Sequence, residues 1–366
     1  MSTEIHDVVV VGGGPAGLAA AIGAARQGLS VVLLERETLP RDKPCGEGVM
    51  PPGVAVLERL GVLSRIPPSE MSPIRGVRYV QEDGRVLEGR LPGAGGLGIR
   101  RTALSRALLE RAAAVGVDVR ARTGVRVHRR EAESVAVETD SGMLRGRILV
   151  AADGLHSPLR RAEGLDVRVH GPRRFGLRQH FARTPWTDFV EVHLSHGAEA
   201  YVTPCGPARV GVALLWSEGA VDPRAGVPDL LERFPRLHGR LRGVATDSES
   251  RGAGPFRQRA RAWARDRFVL LGDAAGYVDA ITGEGVSVAL VCAEALATSL
   301  PEALRPGGSG EFTHYLRTAH DAFRTYSWTA HAVLALARRP RLRRFVLSAL
   351  STRPKTFPWL LEHTVG

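Results

Sequence analysis

Apolar and polar positions along the chain fall into runs of distinct period, and those runs predict its elements. Asp7–Val11 is continuously apolar after its first residue, as in a strand covered on both faces. A glycine turn follows, then small apolar residues over Pro15–Gln27 that predict a helix, then a second buried strand over Ser30–Glu35. Proline and glycine break the pattern over Pro40–Gly53, which reads as a functional loop. Val54–Leu60 predicts a short helix stopped at Gly61. From Arg75 to Arg90 polar residues take alternate positions, as in an antiparallel sheet with one wet face. Arg101–Ala114 has helical period, Val117–Arg120 that of a strand, and Val125–Val137 with Met143–Val150 predicts a hairpin. Short alternating segments then dominate: Phe189–Leu194, Glu199–Thr203 and Val210–Leu215. A buried strand returns at Phe268–Leu271, followed by a glycine loop and a helix over Val286–Ser299. Residues 311–366 are helical and rich in arginine.

Composition narrows the function classes. An apolar content of 44% over 366 residues describes a globular protein with a sizeable core. A net charge of +12 raises nucleic acid as a partner. The aromatic content is only 5%, however, so stacking platforms are lacking, and only Lys43 and Lys355 of the 50 basic residues are lysines. That skew reflects coding bias rather than a polyanion surface, and no nucleic-acid partner is expected. Cys45, Cys205 and Cys292 are too dispersed for a metal knuckle and odd in number, which suits a reducing cytoplasm. His193-x-x-His196 lacks a third ligand, so no metal is expected either. The apolar run Val8–Ala25 has acidic Glu4 and Asp7 before it and is dense in glycine, unlike a signal sequence. No other run is expected to reach the length of a membrane span.

The turn after the first strand carries chemistry. Gly12-x-Gly14-x-x-Gly17 joins a strand to a helix, and Glu35 ends the next strand 18 residues beyond Gly17. In such a unit the first glycine permits the turn, the second lets backbone approach a pyrophosphate, and the third allows close helix–strand packing. The helix N-terminus, opened by Pro15 and Ala16, favours the phosphate charge, and an acidic residue at Glu35 accepts from ribose hydroxyls, with Arg36 beside it. Gly93-x-Gly95-x-x-Gly98 has the same spacing but no strand before it in this reading, and is expected to be a loop.

Leu270-Leu271-Gly272-Asp273-Ala274-Ala275-Gly276 resembles the second FAD motif of the glutathione-reductase-type flavoproteins. The similarity is to the branch that holds aromatic hydroxylases (group A FAD-dependent monooxygenases) and geranylgeranyl reductases, and it spans most of the chain from Asp7 to about Ser299. It implies FAD as cofactor, Asp273 on the ribityl chain, and Thr282-Gly283-Glu284-Gly285 beside the flavin pyrimidine edge. The positive end of the helix from Val286 would favour the negative charge of reduced flavin. Ala152-Asp153-Gly154-x-x-Ser157-x-x-Arg160 is similar to the motif contacting both FAD and an approaching nicotinamide, and can equally be a turn with a helix cap at Ser157. Arg101 matches the residue that leads a helix onto the FAD phosphates. No second dinucleotide unit occurs, so NAD(P)H or another electron donor is expected to bind transiently.

By the same resemblance the fold is α/β: a discontinuous, Rossmann-like FAD-binding domain (1–75, 98–170 and 255–300), an inserted antiparallel β-rich substrate domain (76–97 and 171–254), and a helical C-terminal region (301–366). Lys43-Pro44-Cys45-Gly46-Glu47-Gly48 looks like the cysteine loop of geranylgeranyl reductases, which places Cys45 and Gly46 near flavin and substrate, and Cys45, Gly283 and Gly285 nearest the chemistry. Cys45 can equally be a small buried residue in a tight turn. Ala280 stands where the reductase pattern has proline, and Tyr201-Val202-Thr203-Pro204 is a reduced form of its aromatic stretch. The expected reaction is reduction of an isoprenoid or other C=C bond in a lipophilic molecule. The alternative is hydroxylation of a phenolic, polyketide-like ring with NAD(P)H and O2. His180, Phe181, Tyr201 and Trp216 are the substrate-side candidates. The expected location is cytoplasmic. A packed C-terminal helix is one reading of Ala332–Leu350; the other is peripheral contact with the inner face of the membrane.

Overall fold

A computed structural model describes residues 5–222, 224–305, 312–352 and 356–365. The fold is mixed α/β with several sheets and a helical C-terminal region. Ile5–Val11 is the centre of an eight-stranded sheet, flanked in parallel by Val31–Glu35 on one side and Gly142–Ala151 on the other. Asp118–Ala121 and Phe268–Leu270 extend it in parallel at either side. Val8, Val9 and Val10 are fully buried in one core that takes in helices Pro15–Ala25 and Gly285–Ala303 and also Val135 and Val137 of the neighbouring strands, which explains their unbroken apolar runs. Helix Pro15–Ala25 packs against helix Gly285–Ala303 so closely that a Cβ on Gly23 would lie 2.6 Å from Ala297 Cβ.

The second sheet has seven strands in the order Arg251–Ala253, Arg174–Phe181, Val210–Ser217, Ala198–Pro204, Phe189–Ser195, Gly76–Val80, Val86–Arg90. The sequence predicts an antiparallel sheet here, and all its pairings but one are antiparallel. Phe189–Ser195 runs parallel to Gly76–Val80, since the two come from stretches far apart in the chain and need no hairpin. One face packs on helices Val227–Leu231 and Pro235–Leu241. The other packs on helix Thr313–Ala337 and lines a cavity against the Leu271–Val286 segment.

Three further expectations change. Val125–Val137 is two strands, Val125–Arg130 and Val135–Thr139, so the hairpin is a three-stranded meander. The Gly93–Gly98 segment is not simply a loop: it follows strand Val86–Arg90 and runs into Gly96–Ile99, which pairs with Gly48–Val49 and Met71–Ile74. Helix Gly285–Ala303, longer at both ends than expected, does reach membrane-span length, yet it lies packed in the core around the eight-stranded sheet. In the C-terminal region, residues 306–311, 353–355 (with Lys355) and 366 lie outside the described residues.

Candidate active site

The site begins where the first strand stops. Gly12 has φ +114°, and a Cβ there would sit 2.2 Å from the Ala152 carbonyl oxygen. A Cβ on Gly17 would sit 2.0 Å from the Gly12 carbonyl oxygen. Turn, neighbouring strand end and helix therefore interlock through backbone alone. Gly14 is the N-cap of helix Pro15–Ala25 and has no atom within 4 Å of its Cβ position. The unpaired N–H groups of that helix end open onto a cavity of about 130 Å³. Glu35, buried at its far side, accepts hydrogen bonds from the N–H of Gly13 (2.8 Å) and Glu37 (3.0 Å). Arg36 and Asp153 also line it.

A larger cavity of about 230 Å³ shares Gly14, Pro15, Lys43, Arg101 and Gly154 with the first. It runs between the Lys43–Met50 loop, the inner face of the seven-stranded sheet and the Leu271–Val286 segment. Val77, Val190, Val192, Leu215 and Phe256 make its sheet side apolar. The Tyr201 hydroxyl donates to the Ile281 carbonyl (2.5 Å), tying sheet to loop. Burial pushes the nearby Tyr79 hydroxyl up to about 12, so it stays protonated.

Of the residues singled out from sequence, Pro15, Ala16, Cys45, Gly46, Arg101, Gly154, Tyr201, Asp273, Gly283, Glu284, Gly285 and Val286 line this cavity. Gly17 and Gly272 pack just behind it. Phe181 and Trp216 do not reach it. By strand parity they lie on the opposite face of the sheet, in the cluster packed on helices Val227–Leu231 and Pro235–Leu241. His180 is fully buried below the cavity wall and bonded to Glu47. Ser157 caps helix Pro158–Ala162, accepting from the Arg160 N–H (2.9 Å). Arg160 points inward, to Asp166 and the Ala274 carbonyl, so it braces the Asp273 turn instead of meeting a ligand. His193 turns to Glu191 and His196 is exposed, so the pair does not converge.

Three titratable groups stand out. Glu284 caps helix Gly285–Ala303 by position, is buried, and its Oε2 has no partner among the described residues. Burial pushes its carboxyl up to about 7, against a smaller opposing effect from the Thr282 hydroxyl. Asp153 Oδ1 is likewise unpartnered, and burial raises that carboxyl. Burial also raises the Cys45 thiol, partly offset by the Arg101 guanidinium. Buried polar atoms left unpaired beside a cavity are groups that a ligand would satisfy. Sequence reasoning passed over Lys43, Tyr79, Arg178 and Tyr277, all of which line the cavity. Lys43 carried a signal: it is one of two lysines in the chain.

Two cavities joined at Gly14, one of them at an open helix N-terminus, suit a long ligand that carries phosphate near its middle, and the comparisons agree. A family model described as an FAD binding domain matches residues 6–327. A menaquinone reductase of Mycobacterium tuberculosis is 31% identical over 78% of this chain and 74% of its own length. Digeranylgeranylglycerophospholipid reductase 2 of Methanothermobacter thermautotrophicus is 29% identical, covering 82% of this chain and 79% of its own. The crystal structure of a p-nitrophenol 4-monooxygenase from Pseudomonas putida superposes with a TM-score of 0.81 at 23% identity, covering 96% of this chain and 94% of that one. The chain belongs to this FAD-binding-domain family and is an FAD-dependent oxidoreductase.

Proposed function

We propose that the protein reduces a C=C bond of a lipophilic, isoprenoid-bearing molecule. One observation carries the reading. A buried carboxyl with its proton held to about pH 7, Glu284, lines the same cavity as the apolar Val77, Val190, Val192, Leu215 and Phe256, and its Oε2 has no partner among the described residues. FAD, when bound and reduced, supplies hydride. Alkene reduction also needs a proton on the adjacent carbon, and in this reading Glu284 gives it. The named reductase relatives support this choice.

The chain's other residues take supporting parts in this reading. Gly12, Gly14 and the first turn of helix Pro15–Ala25 take the pyrophosphate, with Lys43 and Arg101 neutralising its charge. Glu35 takes the ribose and Asp273 the ribityl chain. Gly283, Gly285 and Val286 hold the flavin edge, and Cys45 with Tyr201 shapes the substrate end. NAD(P)H or another electron donor visits transiently. Hydroxylation of a phenolic ring with NAD(P)H and O2 is the competing reading, because a monooxygenase shares the fold. Mass spectrometry of the product separates them: two added hydrogens support reduction, one added oxygen refutes it.

The C-terminal helices support peripheral contact with an anionic membrane. Helix Pro340–Ser351 exposes Phe345 (71%) and Leu342 (41%). The exposed Arg339, Arg341 and Arg344 around them form no salt bridge among the described residues. Thr329 and Val333 of helix Thr313–Ala337 and Leu361 of helix Thr356–Val365 line the cavity, so the same region borders the substrate chamber. Flotation with vesicles containing anionic phospholipid, but not with neutral ones, is the expected result.

A further inference from the structure

Glu47 sits between two glycines in the cysteine loop with φ +61°, a conformation that costs a residue with a side chain about 1 kcal/mol or more. Its carboxylate is almost completely enclosed. Oε1 accepts from the Arg101 N–H (2.8 Å) and the Arg100 guanidinium (3.4 Å). Oε2 accepts from His180 Nε2 (2.5 Å) and the Cys205 thiol (3.2 Å). Its own N–H donates to Cys45 Sγ (3.3 Å). We propose that Glu47 is a positioning residue: one buried carboxylate pins the Cys45 loop and the Arg101 helix end to the substrate-side sheet.

The surroundings favour this role. Helix Arg101–Ala114 gets no side-chain cap from its own N-cap, Arg100. Glu47 supplies the missing acceptor and a negative charge at the positive helix end. His180 is driven toward its neutral form by burial and by the Arg178 and Arg100 guanidiniums. In that neutral ring the short contact to Glu47 Oε2 puts the proton on Nε2 and leaves Nδ1 to accept from the Arg178 guanidinium (3.0 Å), with the Arg100 guanidinium 2.8 Å from both ring nitrogens. Glu47 itself is held ionised, at about 2, chiefly by the His180 hydrogen bond working against burial. Gly211 leaves the room required: a Cβ there would lie 3.2 Å from Cys205 Sγ and 3.3 Å from Glu47 Oε2.

Glu47, His180 and Cys205 also lie close enough together to hold a metal ion. Two guanidiniums already press on the ring, and the carboxylate accepts four hydrogen bonds, so a cation would meet repulsion and no free ligand. The cluster works as a latch.

The test is Glu47→Gln in the full-length protein, read by two measurements that do not depend on turnover. One is the iodoacetamide alkylation rate of Cys45, with buried Cys292, outside the cluster, as the internal reference; the other is the FAD dissociation constant. Loss of charge-assisted hydrogen bonds should speed alkylation and weaken FAD binding by about tenfold each. A folded variant with both values within about twofold of the parent overturns the proposal, even if its Tm falls. If Glu47→Gln does not fold, Cys205→Ala removes a single donor and must shift both readouts in the same directions; no shift overturns it.

Discussion

The two cavities that meet at Gly14 are built from different materials. The smaller is made by backbone: close approaches at Gly12 and Gly17 and the free N–H groups of one helix end. The larger is made by side chains delivered from a seven-stranded sheet, the cysteine loop and the Leu271–Val286 segment. A backbone-built site tolerates almost no added atom. A side-chain-built site tolerates exchange and so can change its substrate while the fold persists.

Gly17→Val tests that contrast most severely. Its branched side chain would have to displace the Gly12 carbonyl, at a cost of about 3 kcal/mol or more. Purified protein should lack the flavin absorbance band. Retention of stoichiometric FAD would show that the cradle is looser than its contacts imply.

Glu284→Gln comes next, and acts on the side-chain cavity. Removing the proton donor should lower turnover about a hundredfold while leaving the FAD dissociation constant nearly unchanged. The pH profile gives the sign. With the carboxyl raised to about 7, the active protonated form prevails below that pH and the rate falls as pH rises through it. The folded state also binds this proton more tightly than the unfolded chain, so stability from this group is present below about 4.5 and lost as pH rises toward 7. Both dependences should vanish in the variant.

The smallest effects compare the two faces of one sheet. Tyr201→Phe removes the hydroxyl bond to Ile281 and should cost about 1 kcal/mol, seen as a raised KM. Phe181→Leu should cost stability of similar size, about 1 kcal/mol, with KM unchanged. A raised KM in Phe181→Leu would mean that the opposite face communicates with substrate.

The same contrast explains what was legible in the amino-acid sequence. Gly12, Gly14, Gly17 and Glu35 are local, ordered and spaced by one strand–turn–helix unit, so the smaller cavity could be read directly. Asp273 and the Gly283–Gly285 loop, which line the larger cavity, were legible only by resemblance, because no local spacing rule singles them out. Tyr201, Phe181 and Trp216 looked alike as aromatic residues of strands, and only register separates them: Tyr201 pairs with Ala213 on the cavity side, while Trp216 and Phe181 fall to the helix side. Glu47 and His180, 133 residues apart, meet through tertiary packing that no spacing rule contains. Lys43 was visible in composition but carried no role until Gly154 was found beside its Nζ.

The central claim is that Glu284 and reduced FAD together saturate a double bond. It is tested most directly by one anaerobic turnover in D2O of the dithionite-reduced holoenzyme with a prenylated quinone. The account predicts a product with two added carbon-bound hydrogens, formed without O2, both of them deuterium, because the transferable hydrogen of flavin reduced in D2O and the proton given by Glu284 each come from solvent. A product that appears only after O2 is admitted, and carries an atom of it, would contradict the account.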